Sequence, residues 1–341
     1  MKSIKIIQNQ VSLHEGETPH CKDGDVIIRM GACGICGSDL SNIMGISCKP
    51  TTKIGHEVAG TIIKIGQKIK DFKVGDRVFV HHHASCGKCY LCRSNKQTLC
   101  EKFVDSLEPC GMAEEFLLPE WNVNQGCLFR IPESLSFEEA TLIEPLACCL
   151  RAWKKIPHGQ KSIAIFGIGP IGMIHALLAK YYGFKTIFCI DINKFRLNIA
   201  QKIGLQSVDF LDFALDEKIS RGTNDIGVDI AIIATADMST INKSLNIVRK
   251  GGIILLMGEP SYDSKCKIDI SSMYRKEISM ITNYASTNEN IKEAVELIST
   301  NAINVRHLIT HRFYFEETIS AIDTAISKQD SLKVVILGNR E

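Results

Sequence analysis

The chain has 341 residues, 45% of them hydrophobic, and a formal net charge of only +2, which suits about two ordinary globular domains. With no basic stripe and no acidic tail, neither nucleic acid nor a membrane surface is indicated as a partner. The opening Met-Lys-Ser-Ile-Lys-Ile-Ile-Gln-Asn-Gln turns polar too early for a secretory signal, which points to the cytoplasm, where thiols stay reduced.

From Ile4 to Gly31 short apolar runs alternate with turn signals such as Lys22-Asp-Gly-Asp, predicting β-hairpins. Gly31-Ala-Cys33-Gly-Ile-Cys36-Gly-Ser38-Asp39 then ends a strand, puts Cys36 at the turn and opens a helix. In isolation Cys33 and Cys36 form a C-x-x-C pair that could be redox-active. Ile54-Gly-His56-Glu57-Val-Ala-Gly60 leads into a β-branched run whose glycines permit close backbone approach. A lone histidine before a strand is more often structural than a ligand.

Asp76-Arg-Val-Phe-Val80 is a strand that runs into His81, His82 and His83 and then into Cys86, Cys89, Cys92 and Cys100, which are separated by two, two and seven residues. Thiolates at this spacing on tight turns form a closed tetrahedral zinc site without long-range folding. Gly87, Lys88, Arg93, Ser94, Asn95 and Lys96 leave the lobe almost no core, so a metal has to hold it. Two disulfides would need an oxidising compartment, while an iron–sulfur centre takes the same four thiolates. Because four thiolates saturate the ion, the three histidines read as strand-end residues near a cleft.

The β pattern resumes at 113–119 and 128–133, up to Ser136, which opens a helix with Glu138 and Glu139 in its first turn. Glu144 follows among Leu142, Ile143 and Leu146. A carboxylate there needs a partner, and a metal, a positive side chain or surface water would each serve. From Lys161 strands and helices alternate. Residues 162–179 carry no formal charge, but Gly167, Gly169, Pro170 and Gly172 interrupt them, predicting strand, turn and helix instead of a membrane span. The next strand ends at Asp191, 24 positions after Gly167. Glycines 167, 169 and 172, with Pro170 and Ile171 among them, fit a pyrophosphate-binding turn, and Asp191 fits the adenosine ribose. A carboxylate there repels the extra phosphate of NADP, favouring NAD, although Lys194 and Arg196 stand nearby. Arg196 is counted with the cofactor-binding residues. Strands at 228–234 and 253–258 with a helix at 241–249 between them imply a parallel, doubly wound sheet. A capped amphipathic helix within 284–299 and strands at 308–313 and 332–337, with one helix between, return the chain to the first domain.

Six segments in order, Gly34-Ile-Cys36-Gly-Ser-Asp39, Gly55-His56-Glu57-Val-Ala-Gly60, Val74-Gly-Asp-Arg-Val78, the four-cysteine lobe, Glu144-Pro-Leu and Gly167-Ile-Gly-Pro-Ile-Gly172, resemble the zinc-dependent medium-chain dehydrogenases over essentially the whole chain. That family comprises alcohol, polyol and threonine dehydrogenases. The resemblance implies a GroES-like β-rich catalytic domain at 1–150 and 286–341 with the zinc lobe at 86–100. It also implies a Rossmann NAD-binding domain at 151–285, two zincs per chain and an active site in the cleft between the domains. Cys36 and His56 become ligands of a catalytic zinc, with Glu57 and Glu144 as the carboxylates near it. In the polyol and sugar branches the glutamate of Glu-Pro-Leu takes the place of a third thiolate, and Cys148 and Cys149 lie close enough in sequence to compete with it. Asp39 would orient His56 and Ser38 would begin a proton path. Many relatives continue that path with a histidine where this chain has Ser41, so its onward route is open.

The implied reaction is reversible hydride transfer from a zinc-polarised alcohol to the nicotinamide. The implied substrate is a secondary alcohol of a polyol, sugar or related compound, the motifs standing nearest to sorbitol and polyol dehydrogenases. Threonine-type and simple alcohol dehydrogenases are the alternatives. A catalytically inactive NAD-binding sensor is the non-enzyme alternative, and it would have no need of Cys36, His56 and Glu144 together. The family's habit implies a homodimer or homotetramer.

Overall fold

The computed structural model describes residues 1–7, 10–47 and 51–338. The loop 42–52, whose residue types leave a substrate pocket unread, thus has positions 48–50 outside the described residues, as are the last residues of the expected 286–341 segment. Two compact units form. The first holds Met1–Ala147, Ala285–Lys328 and the residues from Lys333 onward, and the second holds Cys148–Tyr284 with Gln329–Leu332. The sequence assigns all of 286–341 to the first unit, yet 329–332 group with the second. There Asn193 Nδ2 donates to the Gln329 carbonyl at 3.1 Å and Arg196 Nε to the Ser331 carbonyl at 3.2 Å.

The first unit opens with the hairpin β1 (Lys2–Ile7) and β2 (Gln10–Glu15). Strands β3 (Val26–Gly34), β4 (Glu57–Ile65), β5 (Arg77–Val80), β6 (Glu115–Leu118) and β7 (Leu128–Arg130) then pair antiparallel. Alternate residues of β3 and β4, among them Val26, Ile28, Met30, Val58 and Ile62, bury into one core with Val78, Val80 and Phe116. Register positions the chemistry. Gly34 at the end of β3 faces Glu57 at the start of β4, so Cys36 and His56, just beyond those ends, emerge side by side. Ala59 of β4 faces Phe79 of β5, and the same antiparallel course brings His81 and His82 to that edge.

The second unit carries six parallel strands: β8 (Ser162–Phe166), β9 (Thr186–Asp191), β10 (Gln206–Asp209), β11 (Val228–Ile233), β12 (Val248–Leu256) and β13 (Ser279–Thr282). Their order is β10-β9-β8-β11-β12-β13. Chain direction reverses beside β8, so the carboxyl end of β8 is the switch point at which such sheets bind ligands. The helix predicted at 241–249 is Thr240–Ile247. It stops earlier because Val248 already pairs with Val228 as the first residue of β12. The uncharged stretch 162–179 is β8, a turn and most of the helix Pro170–Tyr181. No helix among the described residues is long and apolar enough to cross a membrane.

The chain returns to the first unit through the helix Asn288–Ser299, whose cap is a reciprocal Thr287/Asn290 box. Strands β14 (Ile309–Tyr314) and β15 (Lys333–Leu337) then pair parallel. β15 adds antiparallel to β3, Val335 facing Gly34, so Lys333 arrives at the edge that carries Cys36.

Candidate active site and metal centres

The four-cysteine lobe is built from turns. The Cys89 amide donates to the Cys86 sulfur at 3.3 Å, the Cys92 amide to the Cys89 sulfur at 3.5 Å and the Cys86 amide to the Cys100 sulfur at 3.4 Å. All four sulfurs lie within 4.8 Å of one another, and Cys86 and Cys92 are 3.9 Å apart. Tetrahedral Zn–S bonds of about 2.3 Å place ligand sulfurs about 3.8 Å from each other, whereas a disulfide needs about 2.05 Å. The donor set therefore fits zinc. Backbone N–H groups of Lys88 and Cys89 bring the Cys86 thiol down to about 6, and burial pushes Cys92 up to about 12. The lobe's buried apolar cluster consists of Cys92, Cys100 and Phe103, with Cys86, Cys89 and Ala285 packed on it.

The second group is Cys36, His56 and Glu57, whose donor atoms also lie within 4.8 Å of one another. Cys36 is the N-cap of the helix Gly37–Ile43. Buried Asp39 holds the assembly: its carboxylate accepts from the Cys36 amide at 3.0 Å and from the Gly55 amide at 3.1 Å, and it stands 3.4 Å from His56 Nδ1. Burial pushes Asp39 up, but His56 and these amides outweigh it and hold it below the usual carboxylate range. Burial likewise disfavours a charged His56, but Asp39 and Cys36 hold it well above the usual imidazole value. With Nδ1 turned to Asp39, the other ring nitrogen is left for a ligand's role. The Ser38 hydroxyl donates to the Cys36 sulfur at 3.3 Å. Ser41 turns back onto the Gly37 carbonyl at 3.1 Å, inside its own helix. Cys33 is wholly buried, its thiol on the Gly34 carbonyl.

Lys333 is the residue the sequence reading lacked. It is 1% exposed, and its ammonium donates to the Ile35 carbonyl at 3.0 Å and to the Glu57 carboxylate. Burial pushes Glu57 above its usual range; Glu57 in turn, aided by Cys36 and Asp39, holds Lys333 above the ordinary lysine value against the same burial. A lysine inside an otherwise apolar strand, Leu-Lys-Val-Val-Ile-Leu, was the available signal. Glu144 lies in the first turn of the helix Ile143–Trp153 and is buried. Burial holds His81 below the usual imidazole value and Glu57 above the usual carboxylate range, and the Glu144 charge pushes upward on both, so it is felt in their surroundings. The Cys149 thiol points at the Ile171 carbonyl, 3.9 Å away.

In the second unit Gly167 adopts φ +81°, a conformation that favours glycine, and a Cβ on Gly172 would collide with the Gly167 carbonyl. Gly169 caps the helix that begins at Pro170 and Ile171. Asp191 ends β9, where its carboxylate accepts from the Ile168 amide at 2.8 Å and the Asn193 amide at 2.8 Å. Arg196 stands beside Gly169, its Nη1 3.3 Å from where a Cβ would be. The turn thus offers amides at a helix N-terminus, a ready place for pyrophosphate.

Two family models match the chain. "Alcohol dehydrogenase GroES-like domain" matches residues 22–132 and "Zinc-binding dehydrogenase" matches residues 170–300. Sorbitol dehydrogenase from Bacillus subtilis is 31% identical over 97% of this chain and 95% of its own length. D-arabitol-phosphate dehydrogenase from Enterococcus avium is 30% identical over 98% and 95%. The NADP-bound crystal structure of a dehydrogenase candidate from Sinorhizobium meliloti 1021 superimposes with a TM-score of 0.87 at 25% identity, covering 98% of each chain. The class is that of two-unit oxidoreductases with a GroES-like and a dinucleotide-binding unit. Within it, the chain belongs to the zinc-dependent medium-chain dehydrogenase family, among whose members are the polyol dehydrogenases it matches.

Proposed function

We propose that this chain is an NAD-dependent zinc dehydrogenase that oxidises, reversibly, a secondary alcohol of a polyol, a sugar or a related compound. One observation supports the reading: Cys36, His56 and Glu57 bring donor atoms within 4.8 Å of one another, Glu57 is engaged by the buried Lys333, and the charge of Glu144 is felt at Glu57. Cys36, His56 and Glu144 would hold the catalytic zinc, and Cys86, Cys89, Cys92 and Cys100 a structural one. Zinc bound there supplies a Lewis acid that makes an alcohol hydroxyl more acidic. Asp39 keeps His56 in the ligating orientation. Ser38, beside the Cys36 sulfur, can hold the departing proton, and Ser41 offers no onward step because it is bonded to Gly37. Lys333 offsets the Glu57 charge, leaving the metal's charge to Cys36 and Glu144.

Asp191 at the ribose position supports NAD over NADP, with Gly167, Gly169, Pro170, Ile171 and Gly172 cradling the pyrophosphate and Arg196 beside them. The polyol preference is supported by the names of the two relatives and by Glu144 where simple alcohol dehydrogenases use a thiolate. The same reading takes the protein to be cytoplasmic and a homodimer or homotetramer. No disulfide joins the described cysteines, which supports a reducing compartment.

The test is nicotinamide reduction followed with NAD and with NADP against polyols, sugars, threonine and simple alcohols, with zinc counted. Polyol turnover with NAD is expected, falling by about 10³-fold or more in Cys36→Ser, since such a metal contributes several kcal/mol. Glu144→Gln should lose catalytic zinc where Glu57→Gln keeps it, and the reverse result would reassign the ligand. No turnover with any alcohol, despite bound zinc and NAD, would favour an inactive sensor.

A further inference from the structure

The three consecutive histidines after β5 take no part in the proposed reaction. His81 and His82 are 1% and 5% exposed, His83 is half-buried, and one ring nitrogen of each lies within 4.8 Å of the others. Consecutive residues on a strand point to opposite faces, so three that converge have left the strand to do so. The ring centroids are 3.8 Å apart for His82 and His83, 5.7 Å for His81 and His82, and 6.3 Å for His81 and His83.

Asn288 settles which nitrogen of His81 carries a proton. Its Nδ2 donates to the Gln125 carbonyl at 2.7 Å, and a carbonyl can only accept, so Oδ1 is the atom facing His81 Nδ1 at 2.7 Å. Oδ1 is itself only an acceptor, so Nδ1 carries the hydrogen. In the neutral ring Nε2 is then a lone pair, and it is buried without a hydrogen-bond partner. His82 Nδ1 is a second buried ring nitrogen without a hydrogen-bond partner. A ring held through Nδ1–H to an amide oxygen, with Nε2 turned inward, is how proteins present imidazole to metals. Phe103 walls the group, tilted by 37° against His83 at 4.4 Å and edge-on to His81 at 6.1 Å. An all-imidazole donor set suits zinc, cobalt, nickel or copper better than magnesium or calcium.

We propose that His81, His82 and His83 bind a divalent transition-metal ion, a third metal site beside the Cys36–His56 group, with Asn288 as the positioning residue for His81. The His82 ring lies 4.9 Å from that of His56, so the two sites would be neighbours with separate ligands. This inference does not rest on the polyol reading.

The experiment uses the full-length protein as purified, with its zinc counted by mass spectrometry and Co²⁺ then added. Wild type should carry one more metal per chain than His81→Phe. Cobalt taken up there should show visible d–d bands without the near-ultraviolet thiolate charge transfer that cysteine-bound cobalt gives. Asn288→Ala should keep the site but weaken it about 10- to 100-fold, which preserves the test if His81→Phe fails to fold. Cys36→Ser should lose its own metal and keep this one, separating the two sites. Equal metal content in wild type and His81→Phe, or unchanged cobalt affinity in Asn288→Ala, would overturn the proposal and leave the lone pairs to water or substrate.

Discussion

Two of the cysteine-bearing regions of the first unit solve opposite problems. The lobe draws four thiolates from fifteen consecutive residues, 86–100, and folds them with its own turn amides. The Cys36–His56 group draws its members from three strand ends, and Glu144 lies 108 positions after Cys36. The lobe's donor set is complete and uniform, which leaves no place for substrate. The second group is mixed, short of thiolates and wrapped in Asp39, Lys333 and Ser38. A shape-keeping site can be local, whereas a reactive one needs partners that only a sheet can bring together.

Three substitutions would break or sharpen that contrast. The largest effect is expected from Cys100→Ser. Structural zinc contributes on the order of 10 kcal/mol in small lobes without a core, so this variant should lose one zinc and expose residues 86–103 to proteolysis. If zinc content and protease resistance were both unchanged, the lobe would have to be held by something other than metal. Next comes Lys333→Met, which leaves the Glu57 carboxylate buried without its counter-charge and should cost about 3–5 kcal/mol in denaturant unfolding. Adding Glu57→Gln should recover most of that loss. A double variant as unstable as the single one would show that Lys333 matters through packing alone. The smallest effect is Asp39→Asn, which keeps every metal-binding atom but disturbs the orientation of His56. Zinc affinity at that site should fall about 10- to 100-fold while the lobe keeps its ion; equal loss at both sites would mean general unfolding.

Much of this organisation was legible because it is periodic or local. The hairpins, the cap at Ser136 with Glu139, the glycine turn before Pro170 and the acid ending β9 each follow from neighbours in sequence. The helix predicted before β12 runs two residues too far because Val248 and Arg249 are compatible with a further half-turn of helix. Only the pairing of Val248 with Val228 begins the strand there.

What the sequence determined by itself is therefore whatever a few adjacent residues can enforce: the four-thiolate lobe, the dinucleotide turn and the alternation of strands with helices. The tertiary structure alone decided which distant groups meet. Antiparallel register set His82 beside His56, the return of β15 brought Lys333 to Glu57, and the start of the helix Asn288–Ser299 oriented His81. The physical reason is that thiolate spacing and glycine conformation act over a turn. Burial of charge, by contrast, is resolved only when the whole sheet has closed and each buried group has found its partner.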